Sequence, residues 1–142
     1  MKVILVHHAD AVGPAVDPQR PLSARGREQA ERLADALQQH GIVPAAIWHS
    51  GKLRSRQTAE AFLRRSPFAD FRHVRGLRPD DPPAWIHTEL VADTRDILLV
   101  GHIPNIFSLA QTLVPTGAAL PLHGLVGFER DGDAWKEFLR LS

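Results

Sequence analysis

The sequence predicts an α/β fold: a single three-layer domain over residues 1–142, with a mostly parallel central sheet and helices on both faces. Three observations carry that prediction. Short aliphatic runs such as Val3–Val6 and Ile97–Val100 suit strands covered on both faces. Between them lie segments with apolar residues at helical spacing, so strands and helices alternate. No internal repeat, low-complexity tract or interdomain linker interrupts the pattern, and 142 residues suffice for one core.

The opening run Val3–Val6 is the first expected strand. It leads through His7, His8, Ala9 and Asp10 into a polar loop that reaches Pro21, punctuated by Gly13, Pro14 and Pro18. Ser23 is placed to cap the helix that follows and Gly41 to end it, with Ala30, Leu33, Ala34 and Leu37 as its core stripe. A second strand is expected over Ile42–Ser50, centred on Ile47 and Trp48. A second helix is expected over Lys52–Arg65, packing through Leu53, Ala61 and Phe62. Phe71–Arg75 reads as a third strand. The run Arg78-Pro79-Asp80-Asp81-Pro82-Pro83 excludes regular structure, and helix resumes near Ala84–Val91. Ile97–Val100 is the other buried strand, and Pro104 suits the first turn of a helix through Phe107, Ala110 and Leu113. Leu122–Arg130 and Ala134–Leu141 alternate around Asp131-Gly132, as in a hairpin closing one sheet edge.

Composition narrows the function. With no cysteine there is no disulfide, thiol chemistry or thiolate metal site, which agrees with a cytoplasmic location. Met1–Val6 is too short for a signal-peptide core, and no apolar run approaches the roughly 20 residues that span a bilayer, so no membrane partner is expected. A formal charge of +1 gives no reason to expect a nucleic-acid partner. Apart from Lys2, Lys52 and Lys136 the cations are arginines, whose planar fork matches phosphate.

The chemistry concentrates at two strand ends. One run closes on His7-His8-Ala9-Asp10, the other on Gly101-His102. In parallel α/β sheets ligands bind beyond the carboxyl ends of the strands, so the two segments are expected to meet. His8 is the candidate nucleophile, because an imidazole nitrogen can take a phosphoryl group and divide one displacement into two. Arg54 opens a helix after the second strand, where its charge adds to the positive helix end. His102 is placed to donate to a phosphate oxygen, with Gly101 allowing close backbone approach. Adjacent histidines make poor metal ligands, since neighbours on a strand point to opposite faces and no His-Glu-x-x-His spacing supports them. Neither metal nor cofactor is expected.

The segments LVHHADA, RPLSARGREQA (Arg20–Ala30), SGKLRSRQTAE (Ser50–Glu60) and LLVGHIPNI (Leu98–Ile106) extend the pattern over nearly the whole chain. In this order they resemble the histidine phosphatase superfamily, and within it the small SixA-type phosphohistidine phosphatases without a large inserted cap. The resemblance implies a phosphoglycerate mutase-like fold and metal-independent phosphoryl chemistry. It makes His8 the phosphorylated nucleophile, Arg54 the second phosphate-binding arginine and His102 the second pocket histidine. It puts Arg20 on the same side of the pocket, where a salt bridge organising the loop is the other reading. The implied partner is a protein bearing phosphohistidine or a small phosphorylated molecule.

This chain departs from the family's Arg-His-Gly opening, reading His7-His8-Ala9 instead. At position 7 a single imidazole donor stands in for a bidentate fork, and it carries full charge only when protonated. If His7 clamps phosphate as a cation, activity rises below about pH 6.5. Two functional readings follow: a phosphatase working through His8, or a weak or inactive phosphate-binding regulatory module that kept Arg54 and His102. Asp81, Asp80 and Asp10 are the candidates for a general acid. A phosphohistidine has less need of one, because its leaving nitrogen can already be protonated.

Overall fold

In the computed structural model, which describes residues 1–142, ten elements follow one another. They are β1 (Lys2–His7), α1 (Ala24–Gln39), β2 (Ala46–His49), α2 (Leu53–Leu63), β3 (Asp70–His73), α3 (Pro83–Val91), β4 (Ile97–Gly101), α4 (Asn105–Leu113), β5 (Leu125–Asp131) and β6 (Ala134–Leu141). The strands form one sheet in the order β3-β2-β4-β1-β5-β6. The first four in that order run parallel, while β5 and β6 add an antiparallel hairpin at one edge. Central β1 pairs Val3 with Ile97 and His7 with Gly101 on one side, and Val3 with Phe128 on the other.

Alternation along each strand divides the core into two layers, as a period of two requires. Val3, Leu5, Trp48 and Leu99 face α3 and α4, meeting Ile86, Leu90, Ile106 and Leu109. Ile4, Val6, Ile47, Leu98 and Val100 face α1 and α2, meeting Leu33, Leu37 and Phe62. Each such aliphatic side chain contributes about 1.5–3 kcal/mol by leaving water, so strand register is firmly held. The helix–sheet–helix layering matches the expected fold class.

Both ends of α1 are capped as the sequence suggests. The Ser23 hydroxyl accepts from the Gly26 N–H, and Gly41 turns left-handed (φ 74°). That turn lets Gly41 and Ile42 donate back to the Gln38 and Leu37 carbonyls. Glu31 and Asp35 of α1 pair with Arg64 and Arg65 just beyond α2, tying the two helices across one face.

Other boundaries move for local reasons. The second strand begins only at Ala46, because Pro44 has no N–H to give and Val43 is exposed. It stops before Ser50, whose N–H goes to the Ser55 hydroxyl. The second helix covers Leu53–Leu63 and buries Ser55, Thr58 and Ala59 beside the expected Ala61 and Phe62, leaving Leu53 only half-buried. The third strand is shifted to Asp70–His73, since the chain turns at Arg75-Gly76. Pro104 stands just before α4 rather than within its first turn. The hairpin turn is Gly132-Asp133, one residue later than expected, and β5 starts at Leu125 rather than Leu122. No helix is long and apolar enough to cross a membrane.

Candidate active site

The carboxyl ends of β1, β2 and β4 lie side by side, so residues distant in sequence converge at one rim. His8 follows the last residue of β1, and its backbone N–H donates to the Gly101 carbonyl at the end of β4 (3.1 Å). Its Nδ1 lies 2.7 Å from the Ala9 carbonyl, which can only accept. The ring proton therefore sits on Nδ1, and Nε2 carries a free lone pair. Burial, aided by the Arg54, His123 and Arg20 charges, lowers the His8 pKa to about 4, although the Ala9 bond opposes the shift. At neutral pH His8 is an uncharged imidazole. The Ala9 N–H donates to Thr58 Oγ1 (3.0 Å), which donates in turn to the Arg54 carbonyl (2.8 Å). Through Thr58 the segment after His8 is fixed to the first turns of α2.

Arg54 is the second residue of α2, as its place after the strand suggests. Its Nε is buried without a protein partner, and burial together with nearby Arg20 pulls its pKa down. A guanidinium stays charged through such a shift. His102 follows β4 and is 2% exposed. Its Nε2 lies 2.7 Å from the Ser50 hydroxyl, its Nδ1 is buried with no protein partner, and its ring centre is 5.0 Å from that of His8. Burial first, then His8, Arg54, Lys52 and His7, lower the His102 pKa to about 2. Ser50 is held in turn by the Lys52 N–H on its hydroxyl, and Ser55 bridges the Ser50 N–H to the Val100 carbonyl. No ion pair in the chain involves Arg20, Lys52 or Arg54. These three cations have no carboxylate partner, which suits an anion; the Asp10 carboxylate lies on the other side, 3.9 Å from Nε2 of His123.

His7 is 5% exposed, its ring centre 4.4 Å from that of His8 and 4.8 Å from that of His123. Its Nδ1 accepts the backbone N–H of His123 (2.8 Å), so its proton resides on Nε2. Burial above all, then His8, His123 and Arg54, push its pKa down to about 3. His7 is therefore a neutral donor rather than a cation, and the acid-side rise that a cationic clamp requires is not expected. The ligand-type atoms of His7, His8 and His123 lie within 4.8 Å of one another, the loose outline of a metal site. A metal on Nε2 of His7 would need the nitrogen that holds the proton, so the trio fits a donor set better than a ligand set.

These features can be set beside known proteins. Residues 8–85, more than half of the chain, match the family model of the histidine phosphatase superfamily (branch 1). The chain belongs to the histidine phosphatase superfamily. It is 32% identical over 134 residues to an uncharacterized protein of Picosynechococcus sp. strain PCC 7002, covering 89% of this chain and 81% of that one. Its fold is similar to that of the protein histidine phosphatase SixA complexed with tungstate: TM-score 0.86, 20% identity, 100% of this chain and 97% of the other. A SixA protein from Agrobacterium tumefaciens superposes with TM-score 0.80 at 24% identity, over 99% and 97% of the two chains. A mycobacterial glucosyl-3-phosphoglycerate phosphatase complexed with VO3 gives TM-score 0.75 at 16% identity, covering 97% of each chain. These likenesses establish the phosphoglycerate mutase-like fold, as the motifs imply.

In this histidine phosphatase chain the remaining residues singled out from sequence fall in different places. Arg20 makes no salt bridge; its Nε donates to the Val12 carbonyl (3.1 Å), and its charge acts on both His8 and Arg54. Asp10 accepts from the Ser23 hydroxyl (2.6 Å), which leads the causes that lower its pKa. Asp81 accepts the N–H groups of Gly76 and Arg78 and so organises its own loop. Asp80 is exposed. Gly101 serves packing instead of ligand approach: a Cβ there would meet the Leu77 carbonyl at 3.3 Å and the Ile106 side chain at 3.4 Å. Sequence reasoning missed Ser50, Ser55, Thr58 and His123. The first three lie inside the SGKLRSRQTAE segment, and their signal was hydroxyls on the sheet-facing side of a helix start.

Proposed function

We propose that this chain is a metal-independent phosphatase that works through a covalent phosphohistidine on His8. The reading rests chiefly on one observation. The Ala9 carbonyl fixes the His8 proton on Nδ1, leaving a lone pair on Nε2 beside Arg54 and Arg20, whose charges act on it and which make no ion pair. In the first step Nε2 bonds to phosphorus while the bond from phosphorus to the leaving atom breaks. In the second, water attacks phosphorus, the N–P bond breaks, and phosphate departs with His8 restored. Arg54 and Arg20 supply charge to the peripheral oxygens. His7 adds Nε2–H, and where the Ser50 hydroxyl donates to Nε2 of His102, the Nδ1–H of His102 is a further donor.

The substrate class follows from the carboxylates. The Ser23 hydroxyl lowers the Asp10 pKa, Asp81 Oδ2 accepts two backbone N–H groups of its own loop, and Asp80 is exposed, so the geometry singles out no general acid. That favours a leaving group needing no acid, such as the protonated nitrogen of phosphohistidine in a protein, ahead of a small phosphomonoester. The likeness in fold to SixA supports the same choice. A binding module without turnover is the second reading, motivated by His7 in the arginine's place, but it gives the activated His8 tautomer no purpose.

Phosphate release from an aryl phosphate and from a phosphohistidine protein tests the reading, comparing wild type with His8→Ala. Turnover on at least one substrate is expected, lost by more than about 10³-fold in the variant with its melting temperature kept. Retained turnover in His8→Ala overturns the nucleophile, and tight vanadate binding without turnover in the wild type selects the binding module.

A further inference from the structure

His123 lies in the run before β5, far from every motif, yet it contacts both residues at the end of β1. Its backbone N–H donates to Nδ1 of His7 (2.8 Å), and its own Nδ1 donates to the carbonyl of His8 (2.7 Å). Its ring stacks on His7 at 17°, with centres 4.8 Å apart. Next to it, the Gly124 carbonyl accepts the His7 N–H (3.0 Å). To make these contacts His123 adopts φ 53°, a left-handed backbone that is uncommon for a residue with a Cβ. A strained residue whose backbone and ring donors go to two neighbouring site residues, while its Nε2 faces Asp10 at 3.9 Å, calls for a reason.

The reason lies in the ambiguity of imidazole. An arginine at position 7 offers only donors, whereas a neutral histidine offers either a donor or a bare acceptor on Nε2, depending on its tautomer. A bare acceptor would repel a phosphate oxygen. We propose that His123 is a positioning residue of this site: its backbone N–H holds His7 as an Nε2–H donor, while its ring anchors the His8 carbonyl beneath the nucleophile. The two histidines together take the place of one guanidinium, and the donation does not depend on protonating His7. This role rests on the phosphatase reading for its consequence, though not for its geometry. The ring borders a cleft of about 500 Å³ shared with Arg25 and Gln29, so removing it leaves the core intact.

Two variants test it. His123→Gly accepts a positive φ without strain and removes the ring; His123→Asn also tolerates the left-handed backbone and keeps a side-chain N–H donor. Long-range ¹H–¹⁵N NMR reads the tautomers of His7 and His8, vanadate and inorganic phosphate titrations read affinity, and aryl phosphate kinetics read kcat and KM. In the wild type His7 is expected as the Nε2–H tautomer from pH 5 to 8. His123→Gly keeps the backbone N–H and with it the His7 tautomer, but loses the ring's bond to the His8 carbonyl, and is expected to lower kcat/KM and phosphate affinity about tenfold, as loss of one positioned hydrogen bond does. His123→Asn is expected to stay within about threefold of wild type. A Gly variant matching wild type in affinity and kcat/KM overturns the proposal, as does an Nδ1–H or charged His7 in the wild type at pH 7. If the wild type neither turns over nor binds vanadate, the phosphatase reading falls alone, and the NMR tautomers still decide the role of His123.

Discussion

His7 accepts a hydrogen bond on Nδ1 and has its pKa lowered to about 3, so near neutrality it is an uncharged ring with one N–H. His8 is neutral above about 4. After correction for substrate ionisation, kcat/KM for an aryl phosphate is therefore expected to be flat from pH 7.5 to 5. It should fall below about pH 4, as a proton occupies the His8 lone pair. A rise in activity on acidifying through pH 6.5 would instead mark His7 as a cation. The meeting of His8, Arg54 and His102 was legible in the sequence because each ends a strand or opens a helix, positions that an α/β sheet gathers at one rim. His123 was not. Its part depends on a left-handed backbone and on partners 115 and 116 residues away, neither of which leaves a local pattern.

Among the elements, α1 carries the clearest constraint. A Cβ on Gly26 would come within 1.9 Å of the Asp10 carbonyl oxygen, so the first turn of α1 touches the chain just past His8. Gly26→Ala is expected to destabilise the protein by about 3 kcal/mol or more, since the clash is with backbone that cannot rotate away. Activity should drop with it as the segment after His8 shifts. Urea unfolding with a parallel assay checks both, and an unchanged midpoint would show that α1 can slide. From sequence this glycine looked like an ordinary helix residue, because close approach to another segment has no signature of its own. Ser55 and Thr58 were hidden for a related reason: polar side chains in a helix suggest the solvent face, while here they bind the ends of β1, β2 and β4. The caps of α1 were fully readable, because Ser23 and Gly41 act on their own neighbours.

For the molecule as a whole, four histidines are kept neutral by burial: His7, His8, His49 and His102. In the unfolded chain they titrate near the model-peptide value of 6.5. Above that pH neither state binds the protons, and the full stability is present. As pH falls from 6.5 towards 4, only the unfolded chain takes them up. Stability is then lost at about 1.4 kcal/mol per pH unit for each histidine that stays neutral. The urea midpoint is expected to fall between pH 7 and 5, and a constant midpoint would mean these rings protonate inside the folded protein. The layering itself was legible throughout, because apolar runs and helical stripes are whole-molecule signals that survive errors of a few residues at each boundary. The place of β1 has a further consequence, for how the protein is made. The strand that leads into His8 precedes both of its partners in the chain, which are Ile97–Gly101 and Leu125–Glu129. While the chain emerges from the ribosome, β1 must wait with both edges bare until those two segments have followed. The candidate site, whose residues run from His7 to His123, thus rests on pairings of long sequence separation that close late.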